Sequence, residues 1–326
     1  MNRTRIAKLC TALLLGSATF TSAMAQEPYP NKPVHIIVPF TAGSATDIIA
    51  RAVGEGLRKE LGNQPVIIEN KPGAGGTLGA AQVASAPADG YTLLVHSAGH
   101  VANAALYPSL RYDPIKDFKP LAMLASVPNV LVVSPKSNYK DLAALVTKAK
   151  AEPGKLLYAS AGNGSATHMN AEKFRIAAKI DAVHVPYRGT PEAITDVISG
   201  QVNWFFAPIT SAIPMIKDKK LQALAVGSPQ RAVALPDVPT TEEAGFPNSS
   251  YDFWIGLFAP AKLPPALVEQ IAKATTTALQ SEAVKTRFTS LGANYPHVEP
   301  AQFENFVKAE SASTTKLIQQ AKITQN

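Results

Sequence analysis

The sequence predicts an α/β protein of two lobes, each a mostly parallel sheet flanked by helices. Three observations carry this. Short apolar runs alternate with helical patterns between residues 34 and 127. The same alternation restarts after Pro128. The last third of the chain returns to extended and helical pieces that complete the first lobe. Strand–helix–strand repeats of this kind imply parallel strands covered by helices and joined by right-handed crossovers. Two lobes crossed twice by the chain make a hinged clamshell. Lobe 1 is expected at 26–127 plus 226–326, and lobe 2 at 128–225.

The elements follow in order. VHIIVPF (34–40) reads as a buried strand, and Asp47–Leu61 as a helix with Ile48, Ala52, Val53 and Leu57 on one face. PVIIEN (65–70) is a second strand, Gly75–Ala86 an Ala-rich helix and YTLLVH (91–96) a third strand. Two extended runs divided by Pro128 occupy 121–135, where the chain leaves the first lobe. Asp141–Ala151 is helical. The second lobe continues with LLYAS (156–160), a helix over 166–179, AVHVPY (182–187), a helix over 191–199, VNWFFAP (202–208), a helical stretch and LQALAVGS (221–228). YDFWIGLFAP (251–260) is strand-like. Leu263–Leu279, Glu282–Leu291 and Pro300–Gln320 are three helices, the first opened by Pro264 and Pro265, where a missing N–H costs nothing.

Residues 1–25 are set apart from the fold. Arg3, Arg5 and Lys8 precede the apolar stretch LCTALLLGSATF, and Ala23-Met24-Ala25 ends it with the small-residue pattern of a cleavage site. This is the build of a secretory signal peptide. Its apolar core is far short of the roughly 20 residues needed to span a bilayer. A mature chain starting at Gln26 in the periplasm is expected, with no direct membrane insertion. Cys10 is the single cysteine and leaves with the leader, so neither a disulfide nor thiol chemistry is expected. The leader holds three of the 31 basic residues and no acidic one; 28 basic residues then face 24 acidic, and the net charge falls from +7 to +4. No block of like charge stands out, which argues against a nucleic-acid partner.

The chemistry concentrates in turns of small residues that follow a strand and open a helix. Thr41-Ala42-Gly43-Ser44-Ala45-Thr46-Asp47 is one. Ser44 and Asp47 have capping-box spacing, which alone accounts for those two side chains. It does not account for the uncovered backbone N–H groups at 41–45, beside the positive end of a helix. Ser160-Ala161-Gly162-Asn163-Gly164-Ser165-Ala166-Thr167 is a second such turn, in the other lobe. Gly73-Ala74-Gly75-Gly76-Thr77 and Ser97-Ala98-Gly99 are two more. Donor-rich turns in both lobes point to an anion held between them. The dinucleotide pattern G-x-G-x-x-G fails because Leu78 stands at its last position, and G-K-[ST] is absent. Neutral donors without a built-in lysine suit a carboxylate at least as well as a phosphate. No G-x-S-x-G elbow and no carboxylate pair suggest catalysis. His96 and His100 stand four apart, but on a strand-like run with no third ligand nearby, so no metal or other cofactor is expected. His35 and His184 fall inside strands, where packing is the simpler role. His168 follows the second turn, placed either to donate to a ligand or to cap its helix.

At these residues the chain resembles the periplasmic solute-binding proteins of tripartite tricarboxylate transporters, the Bug proteins. The matching stretches run in order through nearly the whole mature chain: YPNKPVHIIVPFTAGSATDIIAR, VIIENKPGAGGTLGA, ADGYTLL, YDPIKDFKPLAML, PGKLLYASAGNGSATH, VHVPYRGT, SGQVNWFFAP, LQALAV and LPDVPTTEEAGFP. The resemblance implies a two-lobe Venus-flytrap fold, capture of a small carboxylate without catalysis, and delivery to the membrane permease by a monomer. Carried onto this chain, it points to Phe40, Thr41, Ala42, Gly43 and Ser44 in the first loop. It also points to Gly75, Ser97, Ser160, Gly162, Asn163, Gly164, Ser165 and Thr167, with Ala207 walling the far side. Asp47, His168 and Arg188 are secondary candidates; Arg188 either meets a second carboxylate or lies on the lobe surface. Two departures stand out. Gly43-Ser44 replaces the family's frequent Gly-Gly, and Ala207-Pro208 stands where an acidic residue often holds a ligand ammonium, which argues against an amino-acid ligand. Two other readings share these features: a periplasmic enzyme acting on a carboxylate, and a module that reports to a membrane sensor. Trp204, Phe205 and Phe206 alternate along a strand, so all three cannot face one pocket.

Overall fold

A computed structural model describes residues 29–324. The expected leader and the start at Gln26 lie outside the described residues. In chain order the elements are β1 (Val34–Val38), α1 (Ala45–Glu60), β2 (Val66–Asn70), α2 (Thr77–Ala84), β3 (Thr92–Ser97), α3 (Gly99–Leu106), β4 (Phe118–Ser126), β5 (Asn129–Val133), α4 (Leu142–Ala151), β6 (Leu157–Ser160), α5 (Ala166–Ala178), β7 (Val183–Pro186), α6 (Thr190–Ser199), β8 (Trp204–Pro208), α7 (Ile209–Lys217), β9 (Gln222–Val226), β10 (Trp254–Pro260), α8 (Pro265–Gln280), α9 (Glu282–Leu291) and α10 (Pro300–Ala321).

They build two five-stranded sheets, ordered β2-β1-β3-β10-β4 and β7-β6-β8-β5-β9. In each sheet four strands point one way and one is reversed. The reversed strands are β10 and β5, antiparallel to both neighbours. Each is the strand on which the chain arrives from the other lobe. The crossings lie side by side: Val127 N–H donates to Phe253 O at 2.8 Å, Gly227 N–H to Asn129 O at 2.7 Å, and Tyr251 N–H to Gly227 O at 2.7 Å. Helix α10 packs on β4 and α3 of one lobe and touches α5 of the other.

Alternation along β8 sorts its aromatics. Trp204 and Phe206 enter a core with Leu131, Val133 and Phe174, whereas Phe205 and Ala207 enter the larger core that runs through both lobes. Burying a side chain of this size contributes about 1.5–3 kcal/mol, so β8 is fixed by packing on both faces.

Three local expectations are corrected. The helix expected over Gly75–Ala86 starts at Thr77, because Gly73, Ala74, Gly75 and Gly76 have φ of 140°, 47°, 61° and 95° and cannot continue a right-handed helix. Helix α3 occupies a stretch where the sequence showed only a small-residue turn. His35 is not packed: it is partly exposed, and its Nδ1 lies 2.5 Å from Glu69 Oε1 across β1 and β2.

Candidate functional site

The first loop leaves β1 and turns at Gly43, whose φ of +83° favours glycine. The capping box expected at Ser44 and Asp47 is not formed. Asp47 instead organises the loop: its Oδ2 accepts the Gly43 N–H at 2.9 Å, and its carboxylate accepts Arg51 Nε and Asn70 Nδ2. Asn70 Nδ2 also donates to Phe40 O at 3.0 Å. Burial works to raise the Asp47 pKa, but the bonds from Arg51, Gly43 and Asn70 outweigh it and hold the carboxyl below its usual range. Ser44 is then free to reach across: its Oγ accepts the N–H of Thr190, from the other lobe, at 3.1 Å.

The second turn joins β6 to α5 through Gly162 and Gly164, with φ of +114° and +76°. Ser165 caps α5 by accepting the His168 N–H at 3.3 Å. Thr167 Oγ1 accepts the Ala161 N–H at 2.9 Å, and Ser160 Oγ accepts the Gly162 N–H at 3.0 Å. Behind the turn, His168 and His184 stack with ring centroids 3.9 Å apart. His168 Nδ1 accepts the Gly164 N–H at 3.1 Å, which puts its proton on Nε2, and His184 Nε2 lies 2.6 Å from Ser160 Oγ. Burial drives both histidines down to a pKa of about 3, so the pair is neutral. His168 therefore braces the turn from behind and does not line the cleft.

The two turns meet between the lobes around two adjoining spaces. The inner one is walled by Phe40, Ser44, Ser97, Ser165 and Thr167, joined by Thr190. Its volume, ≈ 10 Å³, is about what one water needs. The outer one, ≈ 480 Å³, is lined by Gly75, Tyr107, Gly162, Asn163, Arg188 and Glu192. Ala161 lines both. Other expected residues stand elsewhere. Thr41 and Gly43 hold the rim: Thr41 Oγ1 donates to Glu192 Oε2 at 3.1 Å, and Ser211 Oγ donates to Gly43 O at 3.1 Å. Ala42 is exposed, Ser160 sits under its turn, and Gly164 faces Leu106. Ala207 pairs with Val130 inside the core, and the neighbouring Pro208 forms the wall. The sequence reading missed Thr46, Ala161, Thr190 and Phe253 in the inner wall and Tyr107 and Glu192 in the outer. Thr190 had a signal: Gly189-Thr190-Pro191 is a helix start.

None of the described residues lining the inner space is ionisable. Its polar groups are hydroxyls and backbone groups at the starts of α1, α5 and α6, so the positive ends of three helices border it. Such a wall can hold an anion but has no acid or base to act on it. Residues 49–323 match the model of the tripartite tricarboxylate transporter family receptor. The chain belongs to that family. It is 33% identical to Protein BugT of Bordetella pertussis strain Tohama I over 312 residues, 95% of either chain. The fold is also that of the periplasmic binding protein BugD, with a TM-score of 0.87 at 32% identity, covering 91% of this chain and 100% of BugD. MatC of Rhodopseudomonas palustris, solved with bound malate, gives 0.85 at 36% identity, covering 89% of this chain and 100% of MatC. This receptor is thus a solute-binding protein, not an enzyme.

In the receptor the lobes approach closely only because glycines stand at the contacts. A Cβ on Gly99 would lie 2.6 Å from Gly164 O, and one on Gly75 would lie 2.0 Å from Asn163 O. Tyr107 OH donates to that same Asn163 O at 3.1 Å, a further tie across the cleft.

Proposed function

We propose that this receptor captures a small carboxylate between its lobes in the periplasm and delivers it, as a monomer, to the permease of a tripartite transporter. The observation that carries this is the inner space: donors from both lobes, three helix N-termini and no ionisable wall. The malate bound by MatC supports the carboxylate class, and the family supports the transport role. No described helix is long and apolar enough to cross a membrane, which fits a protein that works beside its permease. The lobes, 26–127 with 226–326 and 128–225, part to admit the ligand, since the inner space as closed is smaller than a carboxylate. The donors at Ser44, Ser97, Ser165 and Thr167 take the carboxylate. The glycine turns at Gly75 and Gly162 flank the rest of the ligand.

The test is a thermal-shift screen of mono-, di- and tricarboxylates beside their methyl esters. Acids should stabilise the receptor, by about 2.7 kcal/mol at 100 times the dissociation constant, and their esters should not. Equal stabilisation by an ester, or turnover of a hit, overturns the reading. Co-purification with membrane subunits from a strain expressing both checks the delivery step.

A further inference from the structure

We propose that Arg188 reads a second anionic group on the ligand, and that the contact at Gly189 delivers it to that task as the lobes close. The proposal rests on the carboxylate reading of the site and deepens it.

The outer space is composite. Gly73 to Gly76 and Tyr107 come from one lobe; residues 161–163 and 186–188 come from the other. Ala161 lines both spaces, so they adjoin, and the proposal takes the ligand to run past Ala161 from the inner space to the outer one as the lobes close on it. Arg188 is the one cationic residue in that lining. It is exposed, and it makes no hydrogen bond or ion pair with any other described residue. A guanidinium is always charged and presents its donors as a fork that matches a carboxylate. Here that fork stands beside a ligand space with no counter-ion of its own. Glu192 lines the same space, with its carboxylate accepting the Thr41 hydroxyl. It repels a distal anion from its own side and so directs that anion toward Arg188.

Position is set one residue away. Gly189 is extended, with φ of −175°, a conformation open to any residue. Its glycine is needed for space: a Cβ would lie 1.9 Å from Thr41 Oγ1 and 2.6 Å from Ser44 Oγ. The next N–H, of Thr190, is the one that Ser44 accepts. The backbone on the C-terminal side of Arg188 is therefore clamped to the opposite lobe in the closed form. When the lobes part, Arg188 leaves with its own lobe and the outer space divides. Recognition of the second group is then a property of the closed form and should lengthen residence more than it speeds capture.

Calorimetric titration of matched pairs tests this: succinate with butyrate, glutarate with valerate, adipate with hexanoate. At least one dianion should bind the wild-type receptor more tightly than its monoanion partner. Arg188→Gln should cost that dianion about tenfold more than the monoanion, the scale of a charge-assisted hydrogen bond at a partly exposed site. Arg188→Lys should fall between, because it keeps the charge and loses the fork. Glu192→Gln should tighten the dianion. The unliganded melting temperature of Arg188→Gln should match wild type, since no described partner is lost. Equal losses for both members of every pair, no loss at all, or wild-type preference for the monoanions overturns the proposal and leaves the carboxylate reading standing. Failure of all six acids to bind, with other carboxylates also inactive, sinks the carboxylate reading itself and this inference with it.

Discussion

At position 165 one serine serves two ends: its hydroxyl caps α5 through the His168 N–H, and the residue lines the inner space. The substitution Ser165→Asp separates these roles. Aspartate is among the best N-cap residues, so in the unliganded receptor, with the lobes apart and the turn open to water, the melting temperature should hold or rise. Its charge would stand where the proposed ligand carboxylate sits. Two like charges about 4 Å apart at an effective dielectric near 20 repel by about 4 kcal/mol, roughly a thousandfold in affinity. Ser165→Ala should lose much less affinity, because it removes one neutral donor and adds no charge. Titration of both variants checks the split; retained affinity in a well-folded Ser165→Asp receptor removes this turn from the site. The spacing of Ser44 and Asp47 was equally visible in the sequence, yet their roles were not. The group that takes Ser44 Oγ lies 146 residues away, beyond any local pattern.

Among the elements, α3 shows what a glycine is for. Gly99 is its first residue, and alanine is the better helix former by up to about 1 kcal/mol. Within its own lobe Gly99→Ala is harmless or favourable. Across the cleft the new methyl would press on Gly164 O at 2.6 Å and Ser165 Cα at 3.0 Å. The variant should therefore keep its unliganded melting temperature, lose tenfold or more in affinity, and stay expanded in small-angle scattering with saturating ligand. A wild-type scattering change and wild-type affinity would show that the lobes close without this contact. The strand and helix pattern was legible because periodicity and caps act over a few residues. Helix α3 was hidden by its small residues, which read equally well as a turn. The late start of α2 was hidden because a run of positive φ is decided by backbone conformation, not by composition.

Acid sensitivity belongs to the whole molecule. His96 and His100 are buried in one lobe; in the other, His168 is buried and the half-buried His184 stacks on it. Burial depresses all four: His100 to about 4, His168 and His184 to about 3, and His96 well below its usual value, helped by His100. Unfolded, each would titrate near 6.5. Between those values the unfolded chain binds more protons, so stability is full above about pH 6.5 and falls as the pH drops toward the folded values. Each histidine adds at most about 1.4 kcal/mol per pH unit. Asp47, and Glu304 held at about 2 by Lys119 and Lys308, have depressed values too, so their contributions are lost only at lower pH, below their unfolded range. Urea midpoints should decline from pH 7 to pH 5 with an unchanged slope. A flat profile over that window would mean that the imidazoles take up protons without unfolding.

The two-lobe α/β architecture and the glycine turns that open its helices were determined by the sequence alone, because periodicity, glycine turns and helix starts are short-range signals. Tertiary structure decided what those turns touch. It moved Asp47, Ser160 and His168 from the expected wall into its support, put Pro208 in place of Ala207, and brought in Thr190, Tyr107 and Glu192. The reason is range. The bonds from Thr41 to Glu192, from Thr190 to Ser44 and from Ser211 to Gly43 span 151, 146 and 168 residues. Such partners are chosen by how two lobes pack, and no spacing within either turn encodes them.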